Sequence, residues 1–168
     1  MALRRTVVFD VDGTLVDASA RVEYCSRLAG GARGRRFWDC MFNPDLILNM
    51  DTACSFMIGL LKRYLTQGWA VAVSTGRPET LREATVVQLK SIGIETGRLK
   101  ALLMRPAGDY SRDHILKKRH LDALRSMRLK VEIWYDDSDR VIETLRKEGV
   151  DARKPPRCIQ SRMRRTLV

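Results

Sequence analysis

Short apolar runs alternate with longer amphipathic stretches along most of the chain. The apolar runs are rich in β-branched residues and end at polar turns, which is typical of buried parallel strands. They cover residues 6–9, 69–74, 99–104 and 131–135. The stretches between them have the periodicity of helices. They cover residues 51–66, 78–92, 111–127 and 138–148. Strands that alternate with helices predict an α/β fold with a mostly parallel sheet and right-handed crossovers.

Two segments do not fit this alternation. Residues 18–49 contain a short helical pattern, a glycine-rich run and the aromatic pair Phe37 and Trp38. We interpret them as a small cap, inserted after the first strand and covering the site. Residues 152–168 contain six basic and no acidic residues, which predicts either a basic arm or a packed terminal helix. The whole chain, residues 1–168, is predicted to form a single domain with this cap and tail.

Length and composition are those of a globular protein. The 168 residues are 45% hydrophobic and 30% charged, which suffices for one sizeable core. No apolar run approaches the roughly 18 residues of a membrane-spanning helix, and the first residues lack the apolar stretch of a signal peptide. We therefore expect a cytoplasmic protein that does not bind a membrane.

The cysteines give no pattern that indicates a metal site or a disulfide framework. Cys25, Cys40, Cys54 and Cys158 lie far apart and form no CxxC pair. We expect all four to be small apolar core residues.

The strong positive charge favours association with a polyanion. The net charge is +11 and the pI is near 10.0, an excess that is unusual for an enzyme of small neutral metabolites. A biased genome or a heat-adapted surface would also produce such a charge. Arginines of the predicted cap and of the tail are the candidates for a basic rim around an acidic site. Those of the cap are Arg21, Arg27, Arg33, Arg35 and Arg36.

Two carboxylates directly follow the first predicted strand. Asp10 and Asp12 are separated by one residue, and Gly13 then lets the chain turn away from them. One carboxylate can attack phosphorus once a metal ion screens the repulsion between the two anions, while the other handles a proton. The alternative interpretation is an acidic turn without chemistry.

A polar turn follows the second predicted strand. It reads Ser74-Thr75-Gly76-Arg77 and is followed by Pro78 at the first turn of a predicted helix. A hydroxyl group and backbone amides at such a turn can bind phosphate oxygens. An ordinary helix cap by Ser74 or Thr75 is the alternative.

A lysine on the third predicted helix is a candidate partner for an anion. Lys117 shares a helix face with Leu121 and Leu124, whereas Lys118 points about 100° away. A cation on the inward face requires an anionic partner, unless its long side chain extends back to the solvent. Helical phase therefore favours Lys117 over Lys118.

Two adjacent carboxylates, Asp136 and Asp137, end the last predicted strand. Oxygen ligands of this kind suit Mg²⁺, which binds a few protein oxygens and keeps several waters. A plain acidic turn at a helix start is the alternative. A catalytic histidine is not indicated, because no serine or cysteine nucleophile motif accompanies His114, and we expect a surface or packing role for it.

The four elements in this order resemble the haloacid dehalogenase (HAD) superfamily, whose phosphatases begin with a DxDGT signature after the first strand. The resemblance implies a Rossmann-like fold and a phosphatase that forms an aspartyl-phosphate intermediate. It implies Asp10 as the nucleophile, Asp12 as the general acid and base, Thr75 as the residue that holds the phosphoryl group, and Lys117 as the bridge between nucleophile and phosphate.

The same resemblance implies a magnesium cofactor. Its ligands would be Asp10, the backbone carbonyl of Asp12, and Asp136. Asp137 would support this set of ligands, and a water molecule could link it to the metal.

Two finer features resemble the phosphatase domain of polynucleotide kinase/phosphatases. They are the Thr75-Gly76-Arg77 turn and the Met104-Arg105 pair that leads towards Lys117. This resemblance implies that Gly76, Arg77 and Arg105 bind substrate. The sequence departs from it after Asp137, where we expect an arginine sooner than Arg140, and no kinase motif of the G-x-x-x-x-G-K-[ST] type occurs.

Three functions are compatible with these patterns. The first is a polynucleotide 3′-phosphatase of nucleic-acid repair, acting on a DNA or RNA end. The second is a phosphatase of a small phosphorylated metabolite or nucleotide, for which the basic surface is incidental. The third is a nucleic-acid-binding module without turnover, which the intact aspartates disfavour.

Overall fold

Five parallel strands form the central sheet of the computed structural model, which describes residues 3–158. In chain order, the elements are β1 (Arg4–Phe9), β2 (Val16–Asp17), α1 (Ser19–Leu28), α2 (Arg35–Met41), α3 (Pro44–Met50), β3 (Thr52–Ala53), α4 (Ser55–Thr66), β4 (Ala70–Pro78), α5 (Arg82–Ser91), β5 (Ala101–Arg105), α6 (Asp113–Ser126), β6 (Leu129–Tyr135), α7 (Asp139–Lys147) and β7 (Asp151–Arg153). The sheet order is β5-β4-β1-β6-β7. The predicted α/β fold with a Rossmann-like, mostly parallel central sheet is confirmed.

Strand β1 lies at the centre of the sheet and determines where the polar strand ends meet. Its last residue, Phe9, is paired with Val73 of β4 on one side and with Tyr135 of β6 on the other. The residues that follow these three in the chain are Asp10, Ser74 and Asp136. Parallel register therefore brings Asp10 and Asp136, which directly follow β1 and β6, beside Ser74 of β4 at the carboxyl side of the sheet, where ligands bind in open α/β folds.

Both faces of the sheet are covered by helices, which makes the strands buried and apolar. On one face, Phe9 packs in a buried cluster with Leu61 of α4 and Leu89 of α5. On the other face, Val8 packs in a buried cluster with Leu124 of α6. Successive side chains of a strand point to opposite faces, so β1 contributes to both apolar clusters and its position is fixed by packing on both sides.

Three helices, α1 to α3, form the insertion between β2 and β3. The two short strands pair in antiparallel fashion and hold the two ends of the insertion together. A small apolar cluster inside it contains Cys25, Phe37 and Met41. Pro44 begins α3, and the Asn43 side chain accepts hydrogen bonds from the first free N–H groups of this helix.

The cysteines are paired, contrary to the expectation of four unpaired core residues. Cys25 and Cys40 form a disulfide between α1 and α2, with Cα atoms 5.6 Å apart. Cys54 and Cys158 form a second one, with Cα atoms 5.0 Å apart. The partners are 15 and 104 residues apart in sequence, and only the fold brings the second pair together.

Several element boundaries differ from the predicted ones. Pro78 is not in the first turn of a helix as predicted, because it pairs with Arg105 as the last residue of β4, and α5 begins at Arg82. The helix predicted from residue 51 begins at Ser55, because Thr52 and Ala53 pair with β2 instead. The basic tail predicted from residue 152 begins inside the sheet, since β7 pairs with the end of β6. Residues 159–168 of that tail lie outside the described part of the chain. Within residues 3–158, no helix has the length and apolarity needed to cross a membrane.

Candidate active site

A cavity of about 1250 Å³ lies at the carboxyl edge of the sheet. Eight of the nine site residues predicted from sequence line it, namely Asp10, Asp12, Gly76, Arg77, Arg105, Lys117, Asp136 and Asp137. The ninth, Thr75, is buried beside the cavity and is not part of its lining. The volume exceeds the roughly 300–1,000 Å³ of common small-molecule pockets, so the cavity has room for much more than a phosphate group.

Lys117 links Asp10 and Asp136, which follow β1 and β6, with Ser74 of β4. Its Nζ donates to Asp10 Oδ1 at 2.7 Å and to the Ser74 carbonyl at 2.6 Å. It also lies 3.2 Å from Asp136 Oδ2. The Lys117 side chain is 3% exposed, whereas Lys118 is 42% exposed and pairs with Asp122 and Glu148 on the surface. The helical phase of α6 thus places Lys117, and not Lys118, at the site.

Burial is the largest single influence on the pKa values of Asp10, Asp137 and Lys117. It raises the pKa of Asp10 well above the usual value, and the neighbouring Asp136 and Asp137 add to the effect against the opposing charge of Lys117. Burial, followed by Asp136, also raises the pKa of Asp137 to about 6. For Lys117, burial alone would lower the pKa, but Asp10 and Asp136 outweigh it and the pKa is raised. The cluster therefore has more negative charge than one lysine neutralises.

The carboxylate of Asp12 is held by two buried arginines. Arg77 donates to both of its oxygens, at 2.9 and 2.8 Å, and Arg21 donates to Oδ1 at 2.6 Å. Burial alone would raise the pKa of Asp12, but Arg77 and Arg21 outweigh it and lower the pKa to about 2. Asp12 is therefore ionised at neutral pH in this arrangement, with a fixed orientation.

Arg21 and Asp51 are members of the site that sequence reasoning did not assign to it. Arg21 was expected on a basic rim, but it is 1% exposed because it points from α1 onto Asp12. Asp51 has no exposed side-chain surface and binds both Arg21, at 2.8 and 2.9 Å, and Arg77, at 3.3 Å. Gln88 of α5 donates to the same carboxylate at 3.0 Å. Arg21 and Cys25 are four residues apart and so share one face of α1. This spacing was the one sequence signal that Arg21 points inward with the buried Cys25.

Three carboxylates could hold a metal ion. Oxygens of Asp10, Asp136 and Asp137 lie within 4.8 Å of one another. Asp136 Oδ2 is buried and lies 3.2 Å from Lys117 Nζ, but it accepts no hydrogen bond of good geometry from the described residues. Its other oxygen accepts from the Ser138 N–H at 3.0 Å. A buried carboxylate oxygen without a hydrogen bond, beside two further carboxylates, fits a hard cation such as Mg²⁺.

Gly13 is required beside this cluster. Its φ is +82°, and a Cβ atom at this position would collide with the Asp137 carboxylate. The turn after the first strand therefore needs glycine both for its backbone conformation and for the close approach of Asp137.

The hydroxyl groups of the second motif have separate roles. Ser74 Oγ lies 2.7 Å from His120 Nδ1, and His120 Nε2 lies 3.2 Å from the Met104 carbonyl. Because a carbonyl can only accept, Nε2 carries the proton and Nδ1 accepts from Ser74. Burial, followed by the charge of Lys117, lowers the pKa of His120 to about 4. Ser74 is thus directed away from the cavity, and the Thr75 hydroxyl accepts from the Arg77 N–H at 3.2 Å.

Arg105 holds the loop that follows β5. It donates to the carbonyl of Gly76 at 3.0 Å and to that of Ser111 at 2.7 Å, and it pairs with Asp113. A Cβ atom on Gly76 would lie 3.1 Å from Asp113 Oδ1, so the close packing here favours glycine. Arg105 lines the cavity, but its contacts within the described residues are with the protein itself.

A family model matches most of the chain. The family described as "Polynucleotide kinase PNKP phosphatase domain" matches residues 39–154. This match begins after Asp10 and Asp12, so the DxDGT signature is a separate observation. A comparison with curated proteins gave no match.

Solved structures with the same fold include two from one assembly. A chain of the Pnkp1/Rnl/Hen1 complex is 26% identical, with a TM-score of 0.69, and the alignment covers 90% of this chain and 46% of that one. The Pnkp1/Rnl/Hen1 RNA repair complex gives 27% identity, a TM-score of 0.68, and coverage of 90% and 42%. This chain thus spans less than half of those chains. A haloacid dehalogenase-like hydrolase from Streptococcus pneumoniae, at 14% identity, a TM-score of 0.63 and coverage of 88% and 82%, shares the fold.

Proposed function

Because the chain belongs to the family of PNKP phosphatase domains and is thus a HAD-type phosphomonoesterase, we propose that its substrate is a 3′-phosphate at a nucleic-acid end. The observation that carries this proposal is the charge distribution around the cavity. Acidic residues form its floor, while two exposed arginines, Arg35 and Arg112, lie at its margin. Of the other cap arginines expected at this margin, Arg21 is buried, and the cavity lining does not include Arg27, Arg33 or Arg36. The similarity to a chain of an RNA repair complex makes 3′-phosphorylated RNA the first substrate to test, with DNA beside it.

We propose that Asp10 attacks the phosphorus atom and forms an aspartyl phosphate. Its carboxylate is at the end of β1 and is oriented by Lys117. The raised pKa of Asp10 means that its ionised form depends on nearby cations. Mg²⁺, held by Asp10, Asp136, Asp137 and the backbone carbonyl of Asp12, would supply that charge and neutralise phosphate oxygens. Thr75, Gly76 and Arg77 would bind the phosphoryl group at the end of β4, and Arg105 would act there through the loop it holds.

Asp12 would serve as the general acid and base. Arg77 and Arg21 lower its pKa to about 2, so Asp12 is ionised and can accept a proton from water in the second half of the reaction, but as a weak base while both arginines hold it. Protonating the leaving oxygen in the first half requires that the arginines release it. We therefore expect the phosphate oxygens of the substrate to draw Arg77 away from Asp12 on binding.

The margin of the cavity can bind further phosphates of a strand. Arg35 is 95% exposed along its side chain and lines the cavity, with only a 3.6 Å pair to Asp39. Arg112 also lines the cavity, is exposed, and forms no ion pair within residues 3–158. Contacts of this kind add affinity without base information and make binding sensitive to salt.

A substrate panel tests the proposal. We expect kcat/KM to be higher for a 3′-phosphorylated oligonucleotide than for a 3′-mononucleotide or a sugar phosphate. It should fall steeply with added salt for the oligonucleotide only. The variant Arg33→Ala, Arg35→Ala, Arg36→Ala should raise KM for the oligonucleotide and leave the mononucleotide unaffected, whereas Arg63→Ala on α4 is the control. Better turnover of mononucleotides or sugar phosphates at low salt would instead establish a metabolite phosphatase.

The domain organisation and the cellular compartment of the chain are also proposals. We interpret residues 18–49 as the cap of a single domain. Of the basic tail predicted over residues 152–168, Ala152 and Arg153 belong to β7. A cytoplasmic location would make two disulfides unusual, since cytosolic thiols are kept reduced. Thiol titration of protein taken from cells under acid quench decides between a reduced cytoplasmic form and an oxidised one.

A further inference from the structure

The cavity contains two exposed aromatic side chains for which the phosphatase chemistry has no use. Trp38 on α2 is 43% exposed and Tyr110 in the β5–α6 loop is 96% exposed, and both line the cavity that contains Asp10. Within residues 3–158, the other exposed large aromatic side chains are Tyr24 and Phe56, and neither lines the cavity. The two segments that carry Trp38 and Tyr110 are far apart in sequence, and both border the same cavity.

The ring of Trp38 is held in place by its neighbours. It stacks on Phe42 with ring centroids 5.5 Å apart and an interplanar angle of 27°. Phe37, which is buried, contacts it edge-on at 5.0 Å. The indole ring is therefore oriented before any ligand binds, although much of its surface is still exposed.

The backbone on both sides of Tyr110 is also held. Arg105 donates to the carbonyls of Asp109 and Ser111, at 3.4 and 2.7 Å. The Ser111 N–H donates to the Asp109 carboxylate at 2.8 Å, and Arg119 pairs with that carboxylate at 3.1 Å. The loop backbone is thus ordered by internal contacts while the tyrosine ring remains exposed, so little backbone entropy remains to be lost when a ligand binds.

We propose that Trp38 and Tyr110 stack against the nucleobases at the 3′ end of an unpaired strand and make the enzyme selective for single-stranded ends. The inference rests on the proposed function, because it assigns the part of the substrate next to the phosphate. Flat rings beside a phosphate site fit a nucleotide, and base stacking tolerates any sequence. A paired end keeps its terminal bases in the duplex and must unstack them before they reach these rings.

Alanine variants with conservative partners test the proposal in the intact chain. The substrate is a 3′-phosphorylated single strand, and Trp38→Ala and Tyr110→Ala should each raise its KM about 5-fold or more with little change in kcat. Trp38→Phe and Tyr110→Phe should retain most of the affinity, because they keep a ring. Phe56→Ala, at an exposed aromatic residue outside the cavity, should change KM by less than about 2-fold. Unchanged KM values in both alanine variants would overturn the proposal.

The substrate can be altered instead of the protein. A strand with abasic sugars at its 3′ end keeps every phosphate but offers no base to stack on. We expect the wild-type enzyme to bind this strand as weakly as the double alanine variant binds the normal strand, and we expect the double variant to lose no further affinity for it. If the double alanine variant lost as much affinity for the abasic strand as for the normal strand, the aromatic residues would not contact bases.

These experiments distinguish a failure of the proposed 3′-phosphatase function from a failure of the proposed base stacking. If the wild-type enzyme prefers mononucleotides or sugar phosphates, the nucleic-acid function itself is wrong, and the stacking proposal is wrong with it. If it prefers oligonucleotides but accepts abasic ends equally well, only the stacking proposal fails. Tryptophan fluorescence gives an independent readout: an unphosphorylated oligonucleotide should quench the wild type but not Trp38→Phe, in which Trp69 and Trp134 remain. An equal quench in both would contradict a contact with Trp38.

Discussion

Lys117 should matter far more than its neighbour Lys118, for both stability and turnover. Lys117→Ala removes one buried ammonium group that contacts Asp10, Asp136 and the Ser74 carbonyl at 2.7, 3.2 and 2.6 Å. Two buried carboxylates then face each other without a cation. Lys118→Ala is the matched control, since that side chain is 42% exposed and pairs with acids on the surface.

The expected magnitudes differ because burial differs. Breaking a buried ion pair by removing one partner costs about 3–5 kcal/mol, since the remaining charge stays buried. Surface pairs contribute about 0–1 kcal/mol. We therefore expect Lys117→Ala to lower the free energy of unfolding by about 3 kcal/mol or more in metal-free buffer near neutral pH. Lys118→Ala should lower it by about 1 kcal/mol at most.

Two assays measure these effects. Urea unfolding followed by tryptophan fluorescence gives the free energies, and turnover of an aryl phosphate with Mg²⁺ gives kcat/KM. Loss of a preorganised charge at a reacting centre should lower kcat/KM of Lys117→Ala by about 100-fold or more. The stability deficit should narrow at acidic pH, because protonation of Asp10 removes the unpaired charge. Equal losses in the two variants, or a deficit that is independent of pH, would refute the reasoning.

Three further predictions follow from the buried polar groups. Asp51→Asn should lower kcat/KM about 10-fold or more and reduce the free energy of unfolding by about 3 kcal/mol, because Arg21 and Arg77 lose a buried partner. The control Asp45→Asn, at an exposed position, should change neither quantity. Equal effects of the two substitutions would contradict a role for the buried Asp51. The pKa of His120 is lowered from 6.5 to about 4, so the unfolded chain binds the proton first. The free energy of unfolding should fall by up to about 3 kcal/mol as pH drops from about 6.5 to about 4. Urea titrations at several pH values should show a smaller fall for His120→Gln. The same pH dependence in wild type and variant would contradict this prediction. EDTA should abolish turnover, Mg²⁺ should restore it and Ca²⁺ should do so poorly, whereas full activity in chelator would exclude the metal.

The positions of several site residues could be predicted from sequence because they depend on local pattern. Asp10, Asp12, Asp136 and Asp137 follow strands, and parallel strands end at one edge of the sheet. Lys117 was assigned by helical phase, which is determined within two turns of α6. In each case, a short stretch of the chain contains all the information that the prediction needs.

Other features depend on contacts that a local pattern does not encode. Arg21 and Asp51 meet only because the insertion folds back over the strand ends, so nothing near either residue indicates its partner. The three residues of β7 are too short to show a period, and they form a strand because the edge of β6 is available. The disulfide between Cys54 and Cys158 spans 104 residues, a separation at which spacing has no predictive value.

Trapping the covalent intermediate tests the central claim most directly. The Asp12→Asn variant is mixed with Mg²⁺ and an aryl phosphate, whose leaving group departs without a general acid. The mixture is quenched in acid, digested and examined by mass spectrometry. We expect the peptide containing Asp10 to gain the mass of one phosphoryl group, and the Asp10→Asn variant to gain none. Turnover by the wild-type enzyme with no such adduct in the Asp12→Asn variant, or a phosphoryl group on another residue, would contradict Asp10 as the nucleophile.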